Sequence, residues 1–464
     1  MNLLFIWPPG NDPSVSLPLP YAFIKAQLSV EHQCHILDYS LTPSLQKKGA
    51  LIKELVPFQP DLIIISVLTH LLESTLILAN ELKTLWPQAR FLWGGQHPTL
   101  AYQDLLDKPF VDYIFRGEAD FALQELASSS FRTEALKKIS GLCFKDENNH
   151  WVISQIERLS QDKLDQLNFP DFNFIKIKEY WKNGYAPYTS DSRSLPLWLS
   201  RGCSHHCHYC SVPALGGGKQ RHFSSSYILQ LINFLQRDFK VHYFNIFDDN
   251  FLEDREHVKE LLTELAIQFP ETTFSTPRGL RIDSLDSETL ILLKKAGWKM
   301  ICLAQESGSD ELLKSMNKTI DTIKIKTLIH EAKKINLKTI IFFIVGHPGE
   351  DKESFKESLK MVRELKPDFF HCFYFQPLVG TRTRKQLIQS GQVKENFITQ
   401  KFSEGNFFSK GSALSKNYVI RSILFEYILL FSKQPKAFLK HLNESFSFLW
   451  LLKKIFLNLK NSRQ

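Results

Sequence analysis

The sequence predicts an α/β chain in two parts, a doubly wound open sheet followed by six β/α units that form an incomplete barrel. Three observations lead there. Residues 1–130 alternate short apolar runs with helix-like stretches, and the runs are continuous, as strands covered on both faces by helices require. From residue 195 the pattern strand-then-helix repeats six times. At the end of the first of these runs stand three closely spaced cysteines.

In the first part, strands are expected at 3–7, 34–39, 61–68, 90–93 and 113–115, and helices at 21–28, 45–55, 72–85 and 121–127. This is a Rossmann-like order, in which ligands bind at the carboxyl ends of the strands. Residues 140–154 read as a hairpin around a polar turn, and 155–192, polar and aromatic with Pro170 and Pro187, as a linker. In the second part, strands are expected at 197–201, 242–247, 273–276, 299–303, 339–345 and 370–375. The helices between and after them fall near 225–237, 254–268, 287–296, 310–315, 321–335 and 351–365. Chemistry in such barrels sits at the carboxyl ends of the strands. The domain boundaries read from these patterns are 1–135, 136–192 for hairpin and linker, 193–390 for the barrel, and 391–464 for a helical extension.

Composition narrows the classes. The chain has 464 residues, 43% of them hydrophobic, which suits a folded protein with a sizeable core. Residues 433–464 hold seven lysines and arginines against Glu444 alone, so most of the net charge of +8 lies there and the two domains are nearly neutral. That speaks against nucleic acid as a partner. No run approaches the ~18 apolar residues of a membrane span, and the first ten residues lack a basic leader pattern. Four of the seven cysteines are scattered singly through strand-like runs, which fits a reducing, cytoplasmic setting. The tail is rich in phenylalanine and lysine. It reads either as a helix docked on the barrel or as an interfacial anchor with Trp450 at the boundary, which would bring peripheral membrane contact and favour a lipid or isoprenoid substrate.

The cysteines are Cys203, Cys207 and Cys210, in the stretch Arg201-Gly202-Cys203-Ser204-His205-His206-Cys207-His208-Tyr209-Cys210. Their spacing lets one loop place three thiolates at three corners of an iron–sulfur cube and leave the fourth iron open. The alternative is a structural zinc that recruits His205, His206 or His208, although zinc knuckles normally pair two short arms.

The loop, with aromatic Tyr209 just before its third cysteine, resembles the signature of radical S-adenosylmethionine (SAM) enzymes. The resemblance implies a [4Fe–4S] cluster on the three cysteines whose open iron chelates SAM. It extends along the barrel. Asp248-Asp249 after the second strand resembles the element that receives the SAM ammonium. Arg281-Ile282-Asp283 resembles an R-x-D element, and Glu306-Ser307-Gly308-Ser309 an E-S-G-S element whose glutamate accepts hydrogen bonds from SAM. Gly346-His347-Pro348-Gly349-Glu350 and Pro377 to Thr381 resemble the G-x-P-G-E and P-x-x-G-T turns. The implied SAM contacts are Tyr209, Asp248, Asp249, Arg281 and Glu306.

In the first domain, Ser66 and Leu68 form S-x-L, and Gly94-Gly95 follows after the next strand. Glycine there lets a ligand approach the backbone. With Gly117 after the fifth strand, these residues resemble the later part of the cobalamin-binding signature and imply a cobalamin slot lined by Ser66, Leu68, Gly94, Gly95 and Gly117. The family's D-x-H-x-x-G element is missing. Counting back by its spacing reaches Leu19 to Ile24, which holds no histidine, so the expected cobalamin carries no protein histidine on cobalt.

Together these features resemble cobalamin-dependent radical SAM enzymes over about residues 1–390. The function so implied is methylation of an unactivated carbon, through a 5′-deoxyadenosyl radical and methylcobalamin, with a flavodoxin or ferredoxin as electron donor. The alternatives are a cyclisation or rearrangement without methyl transfer, as in the anaerobic ring cyclases of chlorophyll synthesis, and a non-catalytic cobalamin or redox sensor.

Overall fold

The computed structural model describes residues 1–10, 16–42, 56–185, 191, 193–397, 407–408 and 410–433. The helix expected at 45–55 and the basic segment 434–464, with its anchor reading, lie outside the described residues. The chain divides into two compact units. One is Met1–Tyr185 with Ala214–Gly217, the other Ala186–Pro213 with Gly218–Gln464.

The first unit is built on a seven-stranded sheet in the order β2-β1-β3-β4-β5-β6-β7. The strands are β1 Asn2–Trp7, β2 Gln33–Asp38, β3 Leu62–Ser66, β4 Arg90–Gly94, β5 Tyr113–Phe115, β6 Leu142–Lys145 and β7 Trp151–Ile153. The first five run parallel, and the last two add an antiparallel hairpin to the sheet edge. Continuous apolar composition is what burial on both faces demands, and Leu3 to Ile6 and Leu62 to Ile65 are all 5% exposed or less. The expected linker is not structureless. It forms short helices Gln161–Leu164 and Ile177–Lys182, and Tyr180 donates its hydroxyl proton to the buried Asp38 at 2.6 Å, tying this segment to the end of β2.

The second unit carries a six-stranded parallel sheet in the order β15-β14-β13-β12-β11-β8. Its members are β8 Ser194–Leu197, β11 Tyr243–Ile246, β12 Thr273–Leu280, β13 Trp298–Glu306, β14 Lys338–Val345 and β15 Phe369–Tyr374. The strand expected at 197–201 is split. β8 ends at Leu197, and Ser200–Arg201 (β9) pairs antiparallel with Arg221–His222 (β10). The cause is local: the Leu199 N–H and the Ser200 hydroxyl both turn to Asp248, at 2.8 and 2.6 Å, and leave the barrel ladder.

Six helices of this unit start on side-chain caps. Ser224, Asp254, Asp286, Asp321, Asp351 and Thr381 each accept a hydrogen bond from a backbone N–H of the following turn. These caps end the βα loops at defined residues and so fix where the strand-end side chains stand. The helices cover the outer side of the sheet. Val345 and Tyr374 pack there with Phe355 and Leu359 of helix Lys352–Leu365 and with Val419 of the last described helix, Lys416–Lys433. That helix is docked, and its buried Glu426 pairs with Arg363 at 3.0 Å.

Asp351 holds a full capping box with Ser354. Asp351→Ala is expected to lower stability by about 1 kcal/mol, read as a shift of the urea midpoint, with little change for Asp351→Ser.

Candidate active site

The loop after β9 carries all three cysteines and is held chiefly by its backbone. His208 N–H donates to Met316 O at 2.9 Å, His206 O accepts from Asn317 Nδ2 at 2.9 Å, and His208 O accepts from Thr383 N at 3.0 Å. The His208 ring lies 3.0 Å from Ser315 O through Nδ1 and 3.2 Å from Arg382 through Nε2. The guanidinium can only donate, so Nε2 accepts and Nδ1 carries the proton. Both ring nitrogens are therefore engaged, which removes His208 from the zinc alternative.

Among the described residues no three His, Cys, Asp or Glu side chains converge on a point that one metal ion could occupy. A zinc site would need sulfurs about 3.8 Å apart, from Zn–S bonds of about 2.3 Å in a tetrahedron. A cube binds one cysteine per iron and holds its sulfurs farther apart. Burial pushes the Cys203 thiol up to about 11 and the Cys210 thiol up to about 12. The protein alone thus favours thiols here, and cationic iron supplies the charge that makes them thiolates. Arg281 Nη1 stands 3.6 Å from Cys207 Sγ and Arg281 Nη2 2.6 Å from Asp283, so the R-x-D pair lies against the middle cysteine. The donor set fits a three-cysteine cube.

Tyr209 leads to a second network. Its hydroxyl donates to Glu306 Oε1 at 3.0 Å, and the same oxygen receives Lys318 Nζ at 2.9 Å. Lys318 and Glu306 side chains are 3% and 10% exposed, so this ion pair is buried. Glu306 ends β13 with φ of 70°, a left-handed conformation rare for a non-glycine residue and frequent at functional sites. Lys318 was invisible to motif reading. Its only sequence signal is its place just after the short helix Asp310–Ser315 in Met316-Asn317-Lys318, whose three residues all reach the loop or Glu306.

The two adjacent acids divide their work. Asp248 is 4% exposed, with both oxygens engaged by Leu199 and Ser200. Asp249 accepts from the Gly202 N–H and is open to solvent, yet enough protein surrounds it to raise its carboxyl, the mark of a group on the wall of a concavity. Glu350 of the G-x-P-G-E turn accepts from Gly346 N–H and is buried, while its carbonyl binds Ala413 and Ser412. Arg384, also missed in the sequence, is 7% exposed and donates to the carbonyls of Pro377, Glu395 and Phe397, which closes the P-x-x-G-T turn.

In the first unit, the ends of β3, β4 and β5 are knitted into one slot. Ser66 lies opposite Gly94, and Val67 N–H donates to Gly94 O at 2.8 Å. Gly95 has φ of 99°, and a Cβ there would meet Ser66 Oγ and Val67 N at 2.9 Å. A Cβ on Gly94 would have nothing within 4 Å, so open space lies beside it. Thr99 Oγ1 donates to Gly95 O at 2.7 Å and accepts from Gly117 N–H at 3.0 Å. Leu68 is half-buried and caps the turn that follows. The stretch reached by counting back, Leu19 to Ile24, includes Tyr21, which is fully buried and donates its hydroxyl proton toward Ile6 O at 2.9 Å and Ile64 O at 3.2 Å. Small side chains, accessible backbone and open space fit a flat cofactor at this slot.

Two family models match the chain, that of the radical SAM superfamily over residues 199–362 and that of the B12 binding domain over residues 13–127. An uncharacterized methyltransferase of Pyrococcus horikoshii is 23% identical, over 82% of this chain and 82% of its own length. The anaerobic magnesium-protoporphyrin IX monomethyl ester cyclase of Synechocystis is 23% identical over 86% and 81%. Among solved structures, the radical SAM methyltransferase TsrM of Kitasatospora setae, with cobalamin and a [4Fe–4S] cluster bound, superposes with a TM-score of 0.70. It is 16% identical and covers 84% of this chain and 75% of its own, so the likeness is one of fold.

Two outcomes are expected here. Lys318→Met leaves the Glu306 carboxylate buried without its cation and costs about 3–5 kcal/mol; Glu306→Gln in the same chain recovers most of this, checked by a double-mutant cycle of urea melts. Burial also pushes Asp248 up to about 8, from an ordinary value of 3.8. A raised folded-state value means that this stability is full below the unfolded pKa and is lost as pH rises through about 8. Asp248→Asn therefore flattens the fall in stability between about pH 4 and about pH 8, measured by the same melts.

Proposed function

Because this chain carries a radical SAM domain together with a B12-binding domain, and so belongs to the cobalamin-binding radical SAM enzymes, we propose that it methylates an unactivated carbon. The observation that supports this reading is the presence in one chain of both a three-cysteine loop and a strand-end slot for a flat cofactor, with a methyltransferase among its relatives. When bound, the cluster supplies an electron that cleaves SAM to a 5′-deoxyadenosyl radical, and cobalamin carries a methyl group.

Each residue then has a task. Cys203, Cys207 and Cys210 hold three irons and leave one for SAM. Arg281 sets a positive charge beside the Cys207 sulfur, which favours the reduced cluster. Asp249 is the acid of its pair free to receive the SAM ammonium, while Asp248 anchors the strand end that carries the loop. Lys318 fixes Glu306 through their buried ion pair, and Glu306 holds Tyr209 in place beside Cys210. Ser66, Leu68, Gly94, Gly95 and Gly117 line the cobalamin slot, and the stretch reached by the family's spacing, Leu19 to Ile24, holds no histidine to serve as a cobalt ligand.

Per turnover, one SAM gives methionine and 5′-deoxyadenosine, the latter keeping the hydrogen taken from the substrate. A second SAM gives its methyl group to the product and leaves S-adenosylhomocysteine. Two electrons are consumed, from a flavodoxin- or ferredoxin-type donor. All seven cysteines are free of disulfides, which suits a reducing, cytoplasmic setting, and no described helix is long and apolar enough to cross a membrane.

The similarity to a cyclase favours a second reading, radical ring closure without methyl transfer. Incubation with methyl-labelled SAM, cobalamin, reductant and candidate substrates separates the two. Methylation yields 5′-deoxyadenosine and S-adenosylhomocysteine together and labels the product. Turnover with 5′-deoxyadenosine but no S-adenosylhomocysteine and no label would replace methylation by ring closure. Cys207→Ala is expected to abolish SAM cleavage and cluster absorbance together.

A further inference from the structure

The last described helix, Lys416–Lys433, has two unlike sides. One is docked. Val419 is 0% exposed and packs with Val345, Phe355 and Tyr374. Tyr427 donates its hydroxyl proton to Phe370 O at 3.1 Å and stacks on the Phe369 and Phe370 rings. Glu426, the one acid of this helix, is buried and taken by Arg363. The opposite stripe holds Arg421, Phe425, Ile428 and Ser432, which share a side by their helical spacing and are all exposed. On it Phe425 is 55% exposed and Ile428 64%, and Leu424 and Leu429 beside them are half-buried.

A helix that packs one side on a domain normally turns charge to water on the other. The neighbouring helix Lys352–Leu365 does so, with Lys356, Glu357, Lys360 and Glu364 exposed around its buried Phe355 and Leu359. The last helix shows phenylalanine and isoleucine instead, with Arg421 as the charged member of the stripe and no acid on it. Large apolar side chains grouped on an exposed face mark a contact surface. The chain then continues through 434–464, whose sequence holds six lysines and arginines against Glu444 alone, and five aromatic side chains, Trp450 among them. A second copy of the chain would bring one basic segment near another, which disfavours pairing. Two large side chains are also a small part of the ~800 Å² that each partner of a stable pair buries. A negatively charged bilayer surface suits both features. Its headgroups attract lysine and arginine, and phenylalanine, isoleucine and tryptophan enter the boundary between headgroups and acyl chains. No described helix is long and apolar enough to cross a membrane, so the contact is one of lying on the surface.

We propose that the outer face of helix Lys416–Lys433 lies on an anionic lipid surface through Phe425, Ile428 and Arg421, with the basic segment after it adding electrostatic attraction. The face supplies apolar contact and the segment supplies charge; a surface anchor normally needs two such signals together. This seat on the membrane is independent of whether the enzyme methylates its substrate or closes a ring in it.

The test is co-sedimentation of the full chain, reconstituted with cluster and cobalamin, with vesicles of phosphatidylcholine and phosphatidylglycerol and with vesicles of phosphatidylcholine alone. Wild type is expected to bind the mixed vesicles, to leave them as salt rises, and to stay in solution with the neutral ones. Phe425→Ser with Ile428→Ser is expected to lower the partition coefficient on mixed vesicles about tenfold, and Arg421→Gln about fivefold. Iron and cobalamin content and the urea midpoint report whether each variant folds, and Phe425→Ser alone serves if the double variant does not. Wild type that stays in solution with mixed vesicles at low salt, or that binds both kinds equally, overturns the proposal. So does a double variant or an Arg421 variant that binds as wild type does, which leaves the binding to 434–464 alone. A dimer in light scattering that the double variant abolishes gives the face to a second copy and overturns it as well. The readout needs no radical chemistry, so its failure and a failure of methylation are told apart.

Discussion

A loop that must present three sulfurs to a cofactor cannot be held by burying those sulfurs. It has to be fixed by its backbone, and that constraint organises the second unit. The carbonyls and amides of residues 206–208 are gripped by Met316, Asn317 and Thr383, from two segments far away in sequence. Asp248 and Asp249 hold the approach to the loop at Leu199, Ser200 and Gly202. The split of the first barrel strand follows from this, since the Leu199 N–H and the Ser200 hydroxyl turn to Asp248 while Ser200 and Arg201 pair with β10 and not with the barrel sheet.

The same economy runs through the other strand ends. Motif residues that resemble cofactor contacts are often engaged in holding a turn. Glu350 closes its own turn through Gly346, and Thr381 begins a helix while Arg384 ties three carbonyls around it. Helix caps at the βα loops set the lengths of these turns. What remains accessible, Asp249 and the half-buried Tyr209, is the part free to meet a ligand. The buried Lys318–Glu306 pair sits between the two classes. It brings little net stability by itself, but it holds a strained Glu306 under the aromatic residue of the loop.

Much of this was legible in the sequence. Continuous apolar runs marked the parallel strands, because strands buried on both faces have no polar side. The helices at 72–85 and 310–315 fall as expected, since their apolar spacing and flanks are local properties. The cysteine spacing, the two glycines at the end of β4 and the acids after β11 each lie within one short segment, so local sequence carried the whole signal.

The rest depended on residues distant in the chain. Nothing near Glu306 announces Lys318, twelve residues on, and nothing near His208 announces Arg382. Which of two adjacent aspartates turns inward is decided by the strand that packs against them, and a dipeptide cannot encode it. Sequence alone determined which segments become strands and which loops carry chemistry, since those rest on local pattern. Tertiary structure decided which of the candidate groups are spent on holding the fold and which face open space, because that depends on what packs against each of them.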